Sequence, residues 1–209
     1  NLIIGNRIYS VFTGPLSIIT MNNFPHQPKP VFLRFAKTCQ TGKKILVYNI
    51  RCIQTQTINS KFIDLKANIS AGAIRTKAGG ELYIENCEFE NITSSRNGGV
   101  IFADVIGTPG ATGNVTIIDS KFRDTYSEFG GAVLQLAGNL TISNSNFTSN
   151  KAEYDGGAIY TSFADVEILN SKFISNILVD DVSYGGAGYF DKGNITIREN
   201  IFKDNVGLN

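Results

Sequence analysis

The sequence has few of the residues on which catalytic and metal sites are usually built. Its 209 residues include no tryptophan, one methionine, one histidine and three cysteines. His26 lies in a proline-rich stretch without triad-like neighbours, and the cysteines lack the clustered spacing of metal ligands. We therefore expect no cofactor, no metal site and no enzymatic activity.

Neither the charge nor the hydropathy of the chain indicates a nucleic-acid or membrane protein. The formal net charge is +1, and acidic and basic residues are interspersed, so no surface that would hold a polyanion is expected. No apolar run approaches the ~20 residues of a membrane-spanning helix. The chain begins at Asn1 and shows no signal peptide, so we expect a processed product or a fragment of a longer protein.

The three cysteines allow one disulfide. Cys39 and Cys52 are candidates for such a bond, which would leave Cys87 unpaired. A simpler role for Cys87 is that of a small stacked residue, because other repeats place serine at its position: Ser60, Ser120, Ser145 and Ser171.

What the sequence does contain is a motif repeated along the chain. Phenylalanine recurs with spacings of 27, 33, 25, 26 and 29 residues, at Phe62, Phe89, Phe122, Phe147, Phe173 and Phe202. A glycine motif follows each of the first five, as Ala71-Gly72-Ala73-Ile74, Gly98-Gly99-Val100-Ile101, Gly130-Gly131-Ala132-Val133, Gly156-Gly157-Ala158-Ile159 and Gly185-Gly186-Ala187-Gly188. A period of this length is typical of a stack of equivalent structural units.

Within each repeat the apolar residues alternate as they do in β-strands. Pairs such as Leu82-x-Ile84 and Leu140-x-Ile142 place two branched side chains on one face, and a polar step followed by phenylalanine comes next. No stretch has sustained helical spacing. The sequence predicts an all-β, right-handed parallel β-helix with about 25–29 residues per coil, three short strands per coil and six or more coils.

The regularity of the repeats divides the chain in two. Residues 61–209 carry the regular repeats of one continuous solenoid. Residues 1–60 are interpreted as two degenerate coils, or as one coil and a cap, and they include a proline-rich loop at Pro25–Pro30 that cannot pair in a ladder.

Stacking would turn each repeated position into a column. We expect a buried ladder of the six phenylalanines and glycine pairs that supply positive φ or close packing. A polar column at a turn would hold Asn59, Asn86, Asp119, Asn144, Asn170 and Glu199. A second, shorter ladder would hold Asn150, Asn176 and Asn205.

The repeats resemble those of the chlamydial polymorphic membrane proteins over roughly residues 60–209. The matching motifs are Gly-Gly-Ala-aliphatic, at Gly130–Val133 and Gly156–Ile159, and Phe-x-x-Asn, at Phe147–Asn150, Phe173–Asn176 and Phe202–Asn205. The first three phenylalanine motifs depart from that pattern, ending in Leu65, Ile92 and Thr125. The resemblance implies a surface-exposed β-helix involved in adhesion.

Six sequons make the chain a candidate glycoprotein, with acceptors at Asn68, Asn91, Asn114, Asn139, Asn146 and Asn194. Three of them, Asn114, Asn139 and Asn194, occupy the same turn of the repeat. A turn also favours asparagine, and a strand favours threonine, so a structural origin of these triplets stays open. Asn114 and Asn139 would lie one coil apart, about 4.8 Å, which would crowd two glycans.

A lateral column of large apolar residues is a candidate interaction stripe. It follows the aliphatic position of each glycine motif and consists of Phe102, Leu134, Tyr160 and Tyr189, with Arg75 at its start. If the column points outward, it would bind another protein, another copy of the chain or sugar rings. If it points inward, it belongs to the core.

The sequence therefore predicts a non-catalytic, structural or adhesive β-helix module, extracellular or at the cell surface, whose partners are other proteins, its own copies or surface glycans. Because the last residues show no recognisable cap, either the protein continues or copies stack head to tail into a filament. The alternative is a carbohydrate-active enzyme. Its one adjacent acidic pair, Asp180-Asp181, lies in an insertion and is better interpreted as a solvated turn.

Overall fold

The structure is a computed structural model. It describes residues 54–77, 80–104, 113–181 and 183–207, and it describes the backbone of four strands nearer the N-terminus. His26, the loop at Pro25–Pro30 and the pair Cys39 and Cys52 lie outside the described residues.

The described structure consists of strands and turns. In chain order the strands are β1 (Leu2–Ile4), β2 (Arg7–Tyr9), β3 (Leu16–Met21), β4 (Lys44–Ile50), β5 (Gln54–Ile58), β6 (Lys61–Ala67), β7 (Ile74–Lys77), β8 (Glu81–Glu85), β9 (Glu88–Ser94), β10 (Ile101–Asp104), β11 (Val115–Ile118), β12 (Lys121–Arg123), β13 (Tyr126–Ser127), β14 (Val133–Gln135), β15 (Gly138–Ser143), β16 (Asn146–Thr148), β17 (Lys151–Ala152), β18 (Ile159–Ser162), β19 (Ala164–Leu169), β20 (Lys172–Ile174), β21 (Ile177–Leu178), β22 (Gly188–Asp191), β23 (Ile195–Arg198) and β24 (Ile201–Lys203). No helix in these ranges is long and apolar enough to cross a bilayer.

From β5 onward the chain winds through three parallel sheets in a fixed order. Sheet 1 holds β5, β8, β11, β15, β19 and β23. Sheet 2 holds β6, β9, β12, β13, β16, β17, β20, β21 and β24, and sheet 3 holds β7, β10, β14, β18 and β22, extended by β4 and β3. The strands make five complete turns and the first two strands of a sixth, which confirms the predicted parallel β-helix. In contrast, β1 and β2 pair antiparallel.

The six phenylalanines form one stack through the interior of the solenoid. Successive ring centroids lie 4.7–5.0 Å apart, and the ring planes differ by at most 14°. The first five rings are buried, whereas Phe202 is 47% exposed. The parallel register aligns the rings because it pairs each phenylalanine with the next along sheet 2.

Sheet 1 supplies the opposing apolar wall of the core. Its inward columns pair Leu82 with Val115 and Ile84 with Ile117, as the alternation of the sequence predicts. In the irregular first copy, Thr55 and Thr57 take the same two columns, and both are fully buried. The exception to the apolar pattern is therefore a local substitution that leaves the register of the coil unchanged.

Two turn columns require left-handed backbone in every coil. The first is the predicted polar column at the sheet 1 to sheet 2 turn, where φ is 49–57° at Asn59, Asn86, Asp119, Asn144, Asn170 and Glu199. The second lies two residues after each phenylalanine, with φ of 50–57° at Asp64, Asn91, Asp124, Ser149, Ser175 and Asp204. Asn and Asp tolerate this conformation better than other residues with a Cβ, which explains their recurrence.

Serine side chains link the coils just after the first turn column. The Ser120 hydroxyl accepts a hydrogen bond from the Cys87 backbone N–H at 3.1 Å, and Ser145 and Ser171 repeat this contact along the stack. Cys87 occupies the same column, buried and with a free thiol. Burial raises the pKa of the Cys87 thiol, so the thiol stays protonated at neutral pH.

Because Cys87 takes a serine position, the variant Cys87→Ser is expected to change the free energy of unfolding by less than about 1 kcal/mol. Its hydroxyl would reach the Glu85 carbonyl, which the Cys87 sulfur contacts at 3.2 Å. The control Cys87→Val has a similar size but no donor, and we expect it to lose about 1–3 kcal/mol. Urea denaturation measures both, and a larger loss for serine than for valine would contradict this role.

A buried asparagine ladder replaces apolar packing in the last turns. The amide of Asn150 donates to the Asn176 side-chain oxygen at 2.9 Å, and Asn176 donates to Asn205 at 2.8 Å. Asn150 and Asn176 have no exposed surface. The same position holds Leu65 and Ile92 in earlier turns, so one column changes from apolar contact to hydrogen bonding along the solenoid.

The two glycines of each pair have different roles. The first lies in left-handed backbone, at φ of 57–79° for Gly98, Gly130, Gly156 and Gly185, and Ala71 adopts φ 54° at the same place. The second packs against the next coil. A Cβ on Gly131 would lie 2.1 Å from the carbonyl oxygen of Gly157, which the backbone could not accommodate without moving.

Candidate interaction surface

The predicted stripe is one register-aligned column on sheet 3. Arg75 pairs with Phe102, Phe102 with Leu134, Leu134 with Tyr160, and Tyr160 with Tyr189. The column lies outside the main core and forms part of a second, smaller apolar cluster. Its side chains therefore point away from the interior of the solenoid.

Of the four apolar residues in this column, only the last two reach the surface. Phe102 and Leu134 are 1% and 3% exposed, packed with Ala71 and partly covered by Phe129. Tyr160 and Tyr189 are partly exposed. The accessible part of the stripe is therefore shorter than the sequence suggests.

Arg75 is packed over its neighbours in this column. The Arg75 guanidinium carbon lies 5.0 Å from the centroid of the Phe102 ring. The same guanidinium forms an ion pair with the buried Asp104 at 2.5 Å. An arginine lying against an aromatic ring and a carboxylate is thus already part of this surface.

Further aromatic rings extend the exposed part of the column into a patch, which we call the aromatic patch: Phe129, Tyr154, Tyr160, Tyr184 and Tyr189. Ring centroids connect them in series, from Tyr154 to Phe129 at 5.2 Å, on to Tyr160 at 5.8 Å, to Tyr189 at 5.4 Å and to Tyr184 at 6.1 Å. Tyr184 is 59% exposed and Tyr154 is 36% exposed.

Sequence reasoning identified two rings of the patch and missed the other three. The signal for two of the missed rings lies in the residue immediately before each glycine pair, where Phe129 and Tyr184 stand. Both rings at that position lie next to the stripe, Phe129 at 5.8 Å from Tyr160 and Tyr184 at 6.1 Å from Tyr189. Aligning the residues that come directly before each glycine pair would have identified both of these rings.

Carboxylates surround the aromatic patch: Glu128, Glu153, Asp155, Asp180 and Asp191. Glu153 raises the pKa of Tyr154, with smaller contributions from burial, Glu128 and Asp180. Burial raises the pKa of Tyr160, and Asp155 and Asp191 raise it further. Because their pKa values are raised, Tyr154 and Tyr160 remain neutral phenols beside these negative charges.

The sequon asparagines lie on the outer surface of the turns and strands. Asn68, Asn91, Asn139 and Asn194 are exposed, whereas Asn114 and Asn146 are partly buried. Asn91 also belongs to the second left-handed turn column, and its amide donates to Asp64 at 2.7 Å. A structural role thus coexists with the sequon at this position.

Three sequons share a turn column, as the repeats predict. The Asn139 backbone N–H donates to the Asn114 side-chain oxygen at 3.1 Å, so these two acceptors lie on adjacent coils. Asp165 fills the position in the next coil, and Asn194 donates to it from the coil after that. Asn194 therefore lies two coils from Asn139.

The two adjacent acidic residues that the sequence places in an insertion lie in solvent. Asp180 and Asp181 are both exposed. In the described ranges, no three histidine, cysteine, aspartate or glutamate side chains are grouped so that they could hold a metal ion.

The geometry defines a class of protein: a parallel β-helix repeat protein with an exposed aromatic patch near its last turns. Comparison with known sequences agrees, because the family described as "Right handed beta helix region" matches residues 45–209. The chain belongs to this family, and the predicted hand of the solenoid is confirmed.

One curated relative is the "Metabotropic glutamate receptor-like protein R" of Dictyostelium discoideum. It is 27% identical over 144 residues, covering 68% of this chain and 8% of the relative. The chain thus spans a small part of that protein's length. No solved structure matches this chain significantly.

Proposed function

We propose that this chain is a non-catalytic structural or adhesive module of a secreted or cell-surface protein, and that it is glycosylated. The observation that carries the proposal is that the repeated residues have structural roles. The phenylalanines, serines, asparagines and paired glycines stack on their counterparts or form turns, so they supply a rigid rod rather than a reaction centre.

Two likenesses support a surface location. The name of the Dictyostelium relative describes a receptor-like protein. The Gly-Gly-Ala-aliphatic and Phe-x-x-Asn motifs resemble chlamydial polymorphic membrane proteins, and we retain that type of surface β-helix as part of the proposal. Head-to-tail stacking of copies into a filament stays a prediction.

The proposed surface location is tested on the protein in intact cells. Protease added to unpermeabilised cells is expected to remove an epitope tag placed within residues 183–207, while a cytoplasmic control protein stays intact. A tag that becomes sensitive only after permeabilisation would contradict the proposal.

Glycosylation is tested by intact-mass analysis of the chain produced through a secretory pathway, before and after treatment with peptide-N-glycosidase. We expect modification at exposed acceptors such as Asn68 and Asn139. Because Asn114 lies about 4.8 Å from Asn139, one molecule should carry a glycan on only one of the two.

The variant Thr141→Val removes the Asn139 sequon and keeps a β-branched residue on the strand. It is expected to abolish the Asn139 glycan and to raise occupancy at Asn114. An unmodified mass for the unaltered secreted chain would end the glycoprotein proposal, and two glycans on adjacent coils would contradict the crowding argument.

A further inference from the structure

Solvent reaches a continuous run of rings on one side of the last complete turns. The aromatic patch joins five rings through centroid distances of 5.2–6.1 Å, and four of the five are tyrosines. Tyrosine presents a large flat area at little conformational cost, which is why binding surfaces are rich in it. A contiguous exposed patch of this kind indicates a partner.

The charges around the patch select the kind of partner. Glu128, Glu153, Asp155 and Asp180 form no salt bridge with any residue in the described ranges. Lys151 lies two residues before Glu153 and does not pair with it either. Repulsion would disfavour an anionic glycan, and attraction would favour a cationic group.

The structure contains an internal example of the contact that we expect. On sheet 3, Phe102 and Asp104 hold the Arg75 guanidinium between a ring face and a carboxylate. Tyr189 and Asp191 repeat the same aromatic-x-Asp spacing on strand β22, in the same outward column.

The second copy of this motif lies at the surface. The Asp191 carboxylate accepts a hydrogen bond from Ser162 at 3.1 Å, and Lys192 lies 3.9 Å away. In the first motif, Arg75 lies beside Phe102 on the preceding coil. In the second motif, the corresponding residue beside Tyr189 is Tyr160. The aromatic-x-Asp motif therefore has no arginine from its own chain at that position.

We propose that the aromatic patch binds an arginine-bearing segment of a partner protein. Guanidinium groups of that segment lie against the faces of Tyr154, Tyr184 and Tyr189, and the surrounding carboxylates neutralise them. A planar guanidinium suits this site because it stacks on rings and pairs with carboxylates at the same time. The inference deepens the proposed adhesive function by stating the chemistry of the partner.

The test uses a fluorescein-labelled peptide of alternating glycine and arginine, with fluorescence anisotropy at 0.15 M salt. The double variant Tyr154→Ser/Tyr184→Ser removes two exposed rings and is expected to weaken binding about fivefold to tenfold, since each exposed cation–π contact is worth roughly threefold. The matched control Tyr83→Ser removes a tyrosine from sheet 1 and should leave binding unchanged.

A second pair of variants distinguishes the effect of the patch carboxylates on binding from the effect of the overall net charge. Glu153→Gln/Asp180→Asn is expected to weaken binding at least threefold and to reduce its salt dependence. The control Glu167→Gln/Asp119→Asn removes the same charge elsewhere and should have little effect. Asparagine is already present at the Asp119 column in four other coils, so this control preserves the turn.

Several outcomes would overturn the proposal. The ring variant could bind the arginine peptide as tightly as the unaltered chain, or the control variants could weaken binding as much as the patch variants do. The unaltered chain could also fail to bind the arginine peptide, or the patch could bind uncharged maltohexaose instead. Circular dichroism on each variant shows that the fold is retained. If the protein is exposed on cells in the protease assay but fails these binding assays, the partner inference is wrong and the proposed surface location is unaffected.

Discussion

Replacing Phe122 by alanine is expected to lower the free energy of unfolding by about 3–5 kcal/mol. The ring has no exposed surface and lies 4.7 Å from both Phe89 and Phe147. Its removal leaves a cavity that cannot close, because the hydrogen bonds of three sheets fix the spacing of the coils. Urea denaturation followed by circular dichroism measures the loss.

The control for this prediction is Phe163→Ala, which removes the same atoms from a ring that is 63% exposed. That ring contacts the Lys192 ammonium at 4.3 Å, so we expect a loss of about 0.5–1 kcal/mol. Equal losses at Phe163 and Phe122 would show that the interior stack does not hold the coils together.

The second large effect is expected from Gly131→Ala, which should cost more than about 3 kcal/mol or prevent folding. The added Cβ would lie 2.1 Å from the Gly157 carbonyl oxygen and 2.5 Å from that of Lys151. Both contacts are with backbone, so relief would require neighbouring coils to separate. Soluble yield and urea denaturation measure the effect.

Gly207→Ala is the control, since its Cβ would meet nothing closer than 3.3 Å. Ala71 makes a useful comparison, because in that coil the first position of the pair carries a Cβ in left-handed backbone. If Gly131→Ala were as stable as the unaltered chain, close packing could not explain why the second position is always glycine.

The periodic parts of this protein could be predicted from the sequence because stacking gives every coil the same environment. Phenylalanine recurs at Phe89 and Phe122 because each ring packs on the ring of the next coil. Polar residues recur at the Asn86 position because its backbone is left-handed. Cys87 could be assigned to a serine column in the same way. Each of these inferences needs only the register that equal repeats impose.

The non-periodic surface could not be predicted in this way. The sequence left open whether Phe102 and Tyr160 point inward or outward, since both sides of sheet 3 carry apolar residues. In the tertiary structure Phe102 is covered, whereas Tyr160 is partly exposed. Which rings are covered depends on side chains outside the repeated columns, since Phe129 and Leu136 pack against the cluster that contains Phe102.

By itself, then, the sequence determined the solenoid, its three-strand coil and the identity of its stacked columns. Tertiary structure alone decided that Tyr154 joins Tyr160 and Tyr189 in one patch among carboxylates. The physical reason is that a column depends on repetition along the chain, whereas a patch depends on how turns of unequal length bring unrelated positions together.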